Sequence, residues 1–364
     1  MEKIGLNKGW SFILNSKIKN YIKDYSSIKN RKLSANLPGT IHTDLLKHKL
    51  IAEPFYADNE IGLQWISELD WTYEKEFNYN QSVSGNETIV FEGVDTISEI
   101  YLNDTLLGKT KNMFIRYEFP ISKLLKSTGN KLKVILKSPT KYALAEEEKY
   151  GKLPVALNSY RAYIRKAQYS FGWDWGPVFA TSGIWKDVYI LKNDLPTIDS
   201  FKFDTLKSSD SLAQVKITFS IKNKINKNVS AKINIKNADE VYSFSIEKCK
   251  ANNELIVEIP NPKLWWCNGY GKQNLYNLEI SLSDYKNVSL STFNKNIGIR
   301  TIELKLKDDK KEVFYFILNG IKIFSKGVNW IPGDAFLNRV TDEKYRNLLS
   351  YAVQGNMNIV RVWG

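Results

Sequence analysis

Short stretches in which apolar and polar residues alternate recur through the first 195 residues of the chain. Five of them are Ser11–Leu14, Asp70–Phe77, Thr88–Glu92, Ser98–Leu102 and Lys131–Leu136. Such alternation is typical of β-strands, because it places apolar side chains on one face of a sheet and polar side chains on the other. Many short strands with turns between them, such as Asn103-Asp104, indicate a two-layer sandwich. We therefore predict a jelly-roll domain over residues 1–195, with short helices at Thr43–Lys49 and Lys141–Lys149.

A second β-rich region follows Leu195-Pro196. Its predicted strands are Val215–Phe219, Ala231–Ile235, Glu254–Ile259 and Leu275–Leu282. About a hundred residues with strands this short have the size of an immunoglobulin-like domain. We expect the lysines at alternate positions of these strands to lie on a solvated sheet face. The pattern predicts an immunoglobulin-like sandwich over residues 196–303.

The pattern changes after Arg300. Lys322–Val328 predicts a buried strand, Thr341 begins a helix that runs to about Val353, and Asn358–Trp363 predicts a second strand. A strand, a helix and a strand at this spacing form the repeating unit of an α/β barrel, which contains eight such units. Residues 304–364 are therefore predicted to be the first units of a truncated TIM barrel. The predicted fold class is mainly β and multidomain.

The composition argues against several classes of function. The chain has 52 Lys and Arg against 39 Asp and Glu, but the lysines are spread along it. Because no zinc-finger spacing, basic helix or aromatic RNA-binding signature accompanies the charge, we expect no nucleic-acid partner. The two cysteines, Cys249 and Cys267, and the two histidines, His42 and His48, give neither a disulfide framework nor a metal-ligand spacing, so no metal or cofactor is expected.

The first ten residues contain no apolar signal core, and no stretch has the length of a membrane span. We therefore expect a cytoplasmic protein without a membrane partner. The sequence gives no indication of the oligomeric state.

The segment Phe171-Gly172-Trp173-Asp174-Trp175-Gly176-Pro177 predicts a tight loop or a strand end, because Gly and Pro disfavour a helix. An indole can carry the apolar face of a pyranose while a carboxylate accepts hydrogen bonds from its hydroxyls. The alternative is a tryptophan-rich core in which Asp174 only holds a turn. In an extended chain Trp173 and Trp175 share a face opposite Asp174, so one indole is expected to pack into the core.

Five segments occur in the order found in β-mannosidases of glycoside hydrolase family 2, which the whole chain resembles. They are LPGTIH at 37–42, FGWDWGP at 171–177, LWWCNGYG at 264–271, GVNWIP at 327–332 and NMNIVRVWG at 356–364. The Leu-Trp-Trp segment and Ile297–Arg300 are shared across family 2, whereas the FGWDWGP segment is typical of its mannosidases. One departure is Cys267, which stands where the family commonly has proline.

The resemblance implies a role for six residues in substrate binding. Trp173 and Asp174 would contact a terminal mannose, with Trp363 in the same subsite and Arg361 near the nucleophile. Asn329 and Trp330 complete the expected set. The implied partner is a β-mannoside oligosaccharide or glycoconjugate.

The implied activity is removal of terminal non-reducing β-D-mannose by a retaining mechanism without a cofactor. Both catalytic glutamates of the family would lie downstream of Gly364, so no catalytic residue is expected here, and the chain alone is expected to be an inactive amino-terminal fragment. Two alternatives remain open. One is another family 2 exo-β-glycosidase, such as a β-galactosidase or an exo-β-glucosaminidase. The other is a non-catalytic carbohydrate-binding protein.

Overall fold

The computed structural model describes residues 2–15, 28, 31–80, 83, 85–192, 195–223, 229–238, 240–309 and 311–363. The chain divides into two compact units. The first comprises residues 2–193 and 332–342, and the second comprises residues 194–331 and 343–363. The predicted fold class is confirmed, because most of the regular structure is antiparallel β-sheet. The three domain boundaries given above remain predictions.

The first unit is a β-sandwich. Its strands are β1 (Glu2–Gly5), β2 (Trp10–Leu14), β3 (Leu33–Ala35), β4 (Trp71–Phe77), β5 (Glu87–Phe91), β6 (Ser98–Leu102), β7 (Thr105–Thr110), β8 (Tyr117–Pro120), β9 (Asn130–Leu136), β10 (Phe171–Trp173), β11 (Gly176–Val178) and β12 (Val188–Lys192). One sheet has the order β3-β2-β4-β9-β6-β7, and the other has the order β1-β12-β5-β8. Strands β10 and β11 form a separate hairpin.

The core of this sandwich follows from the alternation in the sequence. Every second residue of β9 is buried, as is every second residue of β2. Large aromatic side chains fill the interior, among them Phe12, Trp71 and Phe91, each no more than 1% exposed. Complete burial of such a side chain contributes about 1.5–3 kcal/mol to the free energy of folding. The predicted turn at Asn103-Asp104 joins β6 to β7, and both residues have positive φ.

The described residues of the first unit include three α-helices. They are α1 (Ile41–Lys47), α2 (Asn59–Gly62) and α3 (Pro139–Tyr150). Thr40 and Thr43 form a capping box at the start of α1, and Ser138 accepts a hydrogen bond from the first turn of α3. Such caps satisfy backbone N–H groups that have no partner inside the helix. The two predicted helices are confirmed, with bounds shifted by one or two residues.

The second unit begins with a sandwich in which the structure describes seven strands. Its strands are β13 (Thr197–Ser208), β14 (Leu212–Lys222), β15 (Ser230–Lys236), β16 (Val241–Ile246), β17 (Asn252–Pro260), β18 (Tyr276–Ser283) and β19 (Ser289–Ile297). The sheets have the orders β13-β14-β17 and β16-β15-β18-β19. Burial alternates along β14 and β18, so that their apolar faces form the core between the sheets. This is the immunoglobulin-like sandwich that the sequence predicts.

After residue 301, the described residues of the second unit form two smaller sheets and a helix. Strands β20 (Ile302–Asp308), β21 (Lys311–Leu318) and β22 (Ile321–Ile323) are antiparallel. Strand β23 (Gly327–Trp330), helix α4 (Asp342–Gln354) and strand β24 (Ile359–Val362) form a parallel β-α-β unit, which confirms that part of the prediction. Among the helices that the structure describes, none combines the length and the apolar character needed to cross a membrane.

The prediction of one buried strand over Lys322–Val328 is wrong. The range contains the end of β22 and the start of β23, and Ile323 is its only buried residue. The cause is a two-residue turn at Asn319-Gly320, where both residues have positive φ. Such a turn is a strong hairpin signal, and it folds β22 back onto β21.

Candidate functional site

The segment Phe171–Val178 forms a short β-hairpin. Phe171 pairs with Val178 and Trp173 pairs with Gly176, so Asp174-Trp175 is the two-residue turn at the tip. Gly172 has a φ of 91°, and a Cβ at this position would lie 2.7 Å from the Val178 side chain. Glycine is therefore required for the two strands to approach. The predicted tight loop is confirmed in this form.

The hairpin is held by side chains from outside it. Glu60 Oε1 accepts a hydrogen bond from the Val178 N–H at 2.5 Å. Gln64 Nε2 donates to the Val178 carbonyl at 2.9 Å, and Asn158 Nδ2 donates to the Phe171 carbonyl at 3.4 Å. Both strands are thus anchored before any ligand binds, which reduces the entropy that binding would cost.

A cavity of about 720 Å³ lies against this hairpin. Its lining combines aromatic and polar side chains: Pro54, Phe55, Ala57, Glu60, Leu157, Asn158 and all eight residues from Phe171 to Val178. The volume is in the range of small-molecule sites, which are typically apolar with a few placed polar groups. A pyranose fits such a lining because it has apolar ring faces and polar hydroxyls.

Three side chains at the tip of the hairpin differ in their surroundings. Asp174 is exposed, whereas Trp173 and Trp175 are partly buried. The prediction that one indole packs into the core is wrong, because the turn bends the chain and leaves both indoles at the cavity. Trp175 contacts Tyr169 at a ring-centroid distance of 5.7 Å. Its Nε1 atom is buried and has no hydrogen-bond acceptor.

The base of the hairpin is joined to the sandwich by a buried ion pair. Lys166 Nζ lies 2.5 Å from Asp95 Oδ2, and both side chains are no more than 1% exposed. Thr181 Oγ1 donates to the same carboxylate oxygen at 2.7 Å and accepts from Lys166 at 2.7 Å. Burial lowers the pKa of Lys166, and the carboxylate of Asp95 opposes that shift. This network fixes the chain on both sides of the hairpin.

One wall of the cavity is part of a cluster of aromatic side chains. Phe55 lines the cavity and makes edge contacts with Phe179 and Phe336 at 5.5 and 5.6 Å. His42 packs on the same two rings and is 1% exposed. Burial, with a smaller contribution from the charge of Lys166, lowers the pKa of His42 to about 3. His42 is therefore neutral at physiological pH and serves as part of the core.

Three predicted site residues lie together in the second unit. Asn329 and Arg361 are paired across β23 and β24, and Arg361 Nη1 donates to Asn329 Oδ1 at 3.2 Å. The Arg361 guanidinium lies 5.1 Å from the centre of the Trp363 ring. Gly327 permits this close pairing, because a Cβ there would lie 1.9 Å from the Ile359 carbonyl oxygen. Asn329 and Arg361 are exposed, and Trp363 is partly exposed.

Trp330 follows Asn329 in β23, so its side chain points to the opposite face of the two-stranded sheet. Its ring stacks on Tyr345 of α4 at a centroid distance of 6.1 Å and an interplanar angle of 16°. This contact gives Trp330 a packing role between the sheet and the helix. Its predicted role in substrate binding stays a prediction.

No sequence pattern marks the residues that hold and surround the hairpin. Glu60, Gln64 and Asn158 lie in unremarkable polar segments, and only the fold brings them to it. Arg161, which contacts Trp173, gave no signal either. In the parts of the chain that the structure describes, no group of three or more His, Cys, Asp or Glu side chains could hold a metal ion.

Family profiles match both sandwiches. Residues 18–186 match "Glycosyl hydrolase 2 galactose-binding domain-like", and residues 197–300 match "Glycosyl hydrolases family 2". The β-mannosidase of Mus musculus is 33% identical over 92% of this chain, and that of Bos taurus is 34% identical over 94% of it. The chain spans 40% and 41% of the lengths of these two relatives.

Comparison with solved structures also shows similarity to a β-mannosidase. The β-D-mannosidase of Dictyoglomus thermophilum is 37% identical with a TM-score of 0.90, and the match covers 100% of this chain and 44% of that one. The exo-chitosanase of Amycolatopsis orientalis has a TM-score of 0.72 at 17% identity, over 100% of this chain and 41% of that one, which shows a shared fold alone. The chain therefore belongs to glycoside hydrolase family 2 and, within it, resembles the β-mannosidases.

Proposed function

We propose that the cavity at the Phe171–Val178 hairpin binds the terminal β-D-mannose of an oligosaccharide or glycoconjugate, in an enzyme that removes this sugar. The observation that carries the proposal is the position of Asp174. Its carboxylate is exposed at the tip of an anchored hairpin, between two indoles that line the same cavity. Trp173 offers an apolar surface to a pyranose ring, and Asp174 offers two acceptor oxygens to its hydroxyls.

The geometry argues against a turn-holding role for Asp174. An aspartate that stabilises a turn accepts hydrogen bonds from backbone N–H groups near it. Within the described ranges, the Asp174 side chain accepts no hydrogen bond and forms no ion pair, and the residue does not have positive φ. The hairpin is instead held by Glu60, Gln64 and Asn158. The acceptor capacity of Asp174 is thus available to a ligand.

The residues of the second unit extend this proposal. Arg361, Asn329 and Trp363 form one contiguous group with donors, an acceptor and an indole. We propose that this group, with Trp330 behind it, also contributes to binding the mannoside substrate. The support for this step is the resemblance to β-mannosidases.

The chemical step needs groups other than those named so far. Retaining hydrolysis uses two carboxyl groups about 5 Å apart, one as acid/base and one as nucleophile. Of the two carboxylates at the cavity, Glu60 is occupied by the Val178 N–H. We therefore propose that glutamates outside these 364 residues supply the catalysis, and that this chain alone recognises the sugar without hydrolysing it. The cytoplasmic location also stays a prediction.

A panel of aryl β-glycosides tests the substrate class. We expect the full-length protein to hydrolyse p-nitrophenyl β-D-mannoside with kcat/KM at least about a hundredfold above that for the β-D-galactoside and the β-D-glucosaminide, because misplacing one hydroxyl against a polar site is costly. A preference for either of the other two sugars would identify another exo-β-glycosidase. Binding of methyl β-D-mannoside with no hydrolysis of any member would identify a non-catalytic carbohydrate-binding protein.

A further inference from the structure

Arg161 lies beneath the hairpin rather than in the cavity. It belongs to a short 3-10 turn, Ser159–Tyr163, and is 6% exposed. Its guanidinium carbon lies 4.7 Å from the centre of the Trp173 ring. The Arg161 carbonyl accepts a hydrogen bond from Gln168 Nε2 at 3.0 Å, which helps to fix this turn.

The surroundings of Arg161 are unusual for a buried charge. Its Nη1 atom is buried and has no hydrogen-bond partner. In the described part of the chain, no carboxylate forms an ion pair with it. A buried guanidinium without a counter-charge destabilises the folded state. The contact with the face of Trp173 offsets part of this cost, and an apolar side chain of similar length would avoid it altogether.

We propose that Arg161 is a positioning residue that holds the indole plane of Trp173 in the orientation that a sugar ring requires. This inference rests on the proposed function, because it takes Trp173 as the surface for the pyranose. Arg161 does not line the cavity and acts only through Trp173. The planar guanidinium covers one face of the indole, so the ring cannot turn about its side-chain bonds without losing the contact.

The proposal separates stability from substrate affinity. In the full-length protein, Arg161→Met removes the charge and keeps most of the volume, so we expect Tm to rise or stay unchanged. We expect KM for p-nitrophenyl β-D-mannoside to rise about three- to thirtyfold with kcat nearly unchanged, which is the range of a desolvated cation–π contact. Arg161→Lys keeps the charge without the planar face and should restore only part of the affinity. A purely structural role predicts the reverse, with lower Tm and unchanged KM.

Two controls isolate the contact. Arg300 lies over the Trp265 ring at 4.9 Å, so Arg300→Met removes a similar arginine–tryptophan contact in the second unit. We expect it to leave KM unchanged. In a Trp173→Ala background, Arg161→Met should raise KM no further, because its effect passes through the indole. A full additional increase would show that Arg161 acts by another route and would overturn the proposal.

A measurement on the 364-residue chain needs no activity. Oxidative footprinting with tandem mass spectrometry reports the reactivity of each tryptophan. We expect Arg161→Ala to raise the oxidation rate of Trp173 about threefold or more and that of Trp265 not at all, with the reverse for Arg300→Ala, because each truncation uncovers one indole face. An unchanged rate at Trp173 overturns the positioning role. By contrast, an unchanged KM in Trp173→Ala overturns the proposed sugar site itself.

Discussion

The hairpin in the first unit and the parallel strands in the second unit both present aromatic and polar side chains, but the surrounding structure holds the hairpin more firmly. The Phe171–Val178 hairpin has hydrogen bonds to both strands and a buried ion pair at its base. Asn329 and Arg361 lie on two short strands, and Trp363 directly follows the second. The helix beside them has no buried residue. The scaffold therefore fixes the hairpin before a ligand binds, whereas the second group depends on further contacts for its position.

The largest expected effect concerns the buried ion pair. Lys166→Met leaves the Asp95 carboxylate buried without its counter-charge, and we expect a loss of about 3–5 kcal/mol in the free energy of unfolding. Lys137→Met is the matched control, because Lys137 pairs with Asp70 at the surface and should contribute less than about 1 kcal/mol. Denaturant unfolding measures both. Equal, small losses would show that the base of the hairpin is not held by this pair.

The second prediction compares local stability. Amide exchange in α4 and β24 should be at least about a hundredfold faster than in β4 and β9, because exposed elements with few buried contacts open at low free energy. Hydrogen exchange with mass spectrometry resolves these segments. Equal protection would mean that the second group of site residues is as firmly held as the hairpin, and the comparison would fail.

The third prediction uses the neutral histidine beside the cavity. The pKa of His42 is lowered to about 3 in the folded chain, whereas the unfolded chain binds a proton near pH 6.5. The stabilisation is complete above pH 6.5 and is lost as the pH falls toward 3. Between pH 7 and pH 5 this loss amounts to about 2 kcal/mol. His42→Phe keeps the aromatic contacts and should remove this component.

The effect of Asp44 on stability at low pH has the opposite sign to that of His42, so the two residues must be measured together. Burial raises the pKa of Asp44 to about 6, so its contribution favours folding below its unfolded pKa and is lost as the pH rises through 6. Asp44→Asn should therefore remove a gain in stability on acidification, while His42→Phe removes a loss. If Tm between pH 7 and pH 5 changes equally in wild type and His42→Phe, the histidine is not buried in its neutral form.

Particular elements show what the sequence could predict. The alternation in Lys131–Leu136 identifies β9 because one of its faces is buried. Residue pattern does not predict the structure of Lys322–Val328, where the turn at Asn319-Gly320 decides the strand pairing and apolar residues stay exposed. The alternation of apolar and polar residues therefore predicts burial only where one face of the strand packs against other parts of the protein.

The candidate site shows a similar limit. Trp173 and Asp174 stand out by residue type, and their flanking glycines predict the tight turn. If the chain were extended, one indole would pack into the core, but the two-residue turn brings both indoles to the cavity. Glu60 and Arg161 reach the hairpin only through tertiary contacts, so no local pattern marks them. The side chains that can contact a ligand were thus predictable from the sequence, whereas the side chains that hold the hairpin and its indole in place were not.

The most direct test of the sugar site is a comparison of two hairpin-turn aspartates. Asp104 lies in the turn between β6 and β7 with positive φ, is 88% exposed and is remote in sequence from the cavity. In the full-length protein we expect Asp174→Asn to lower kcat/KM for p-nitrophenyl β-D-mannoside about ten- to a hundredfold, because a charged acceptor is lost from contacts that strengthen in the transition state. Asp174→Ala should lower it further, with Tm unchanged in both variants, and Asp104→Asn should leave kcat/KM unchanged. Normal kcat/KM with a lowered Tm in the Asp174 variants would assign Asp174 to the turn and contradict the proposed site.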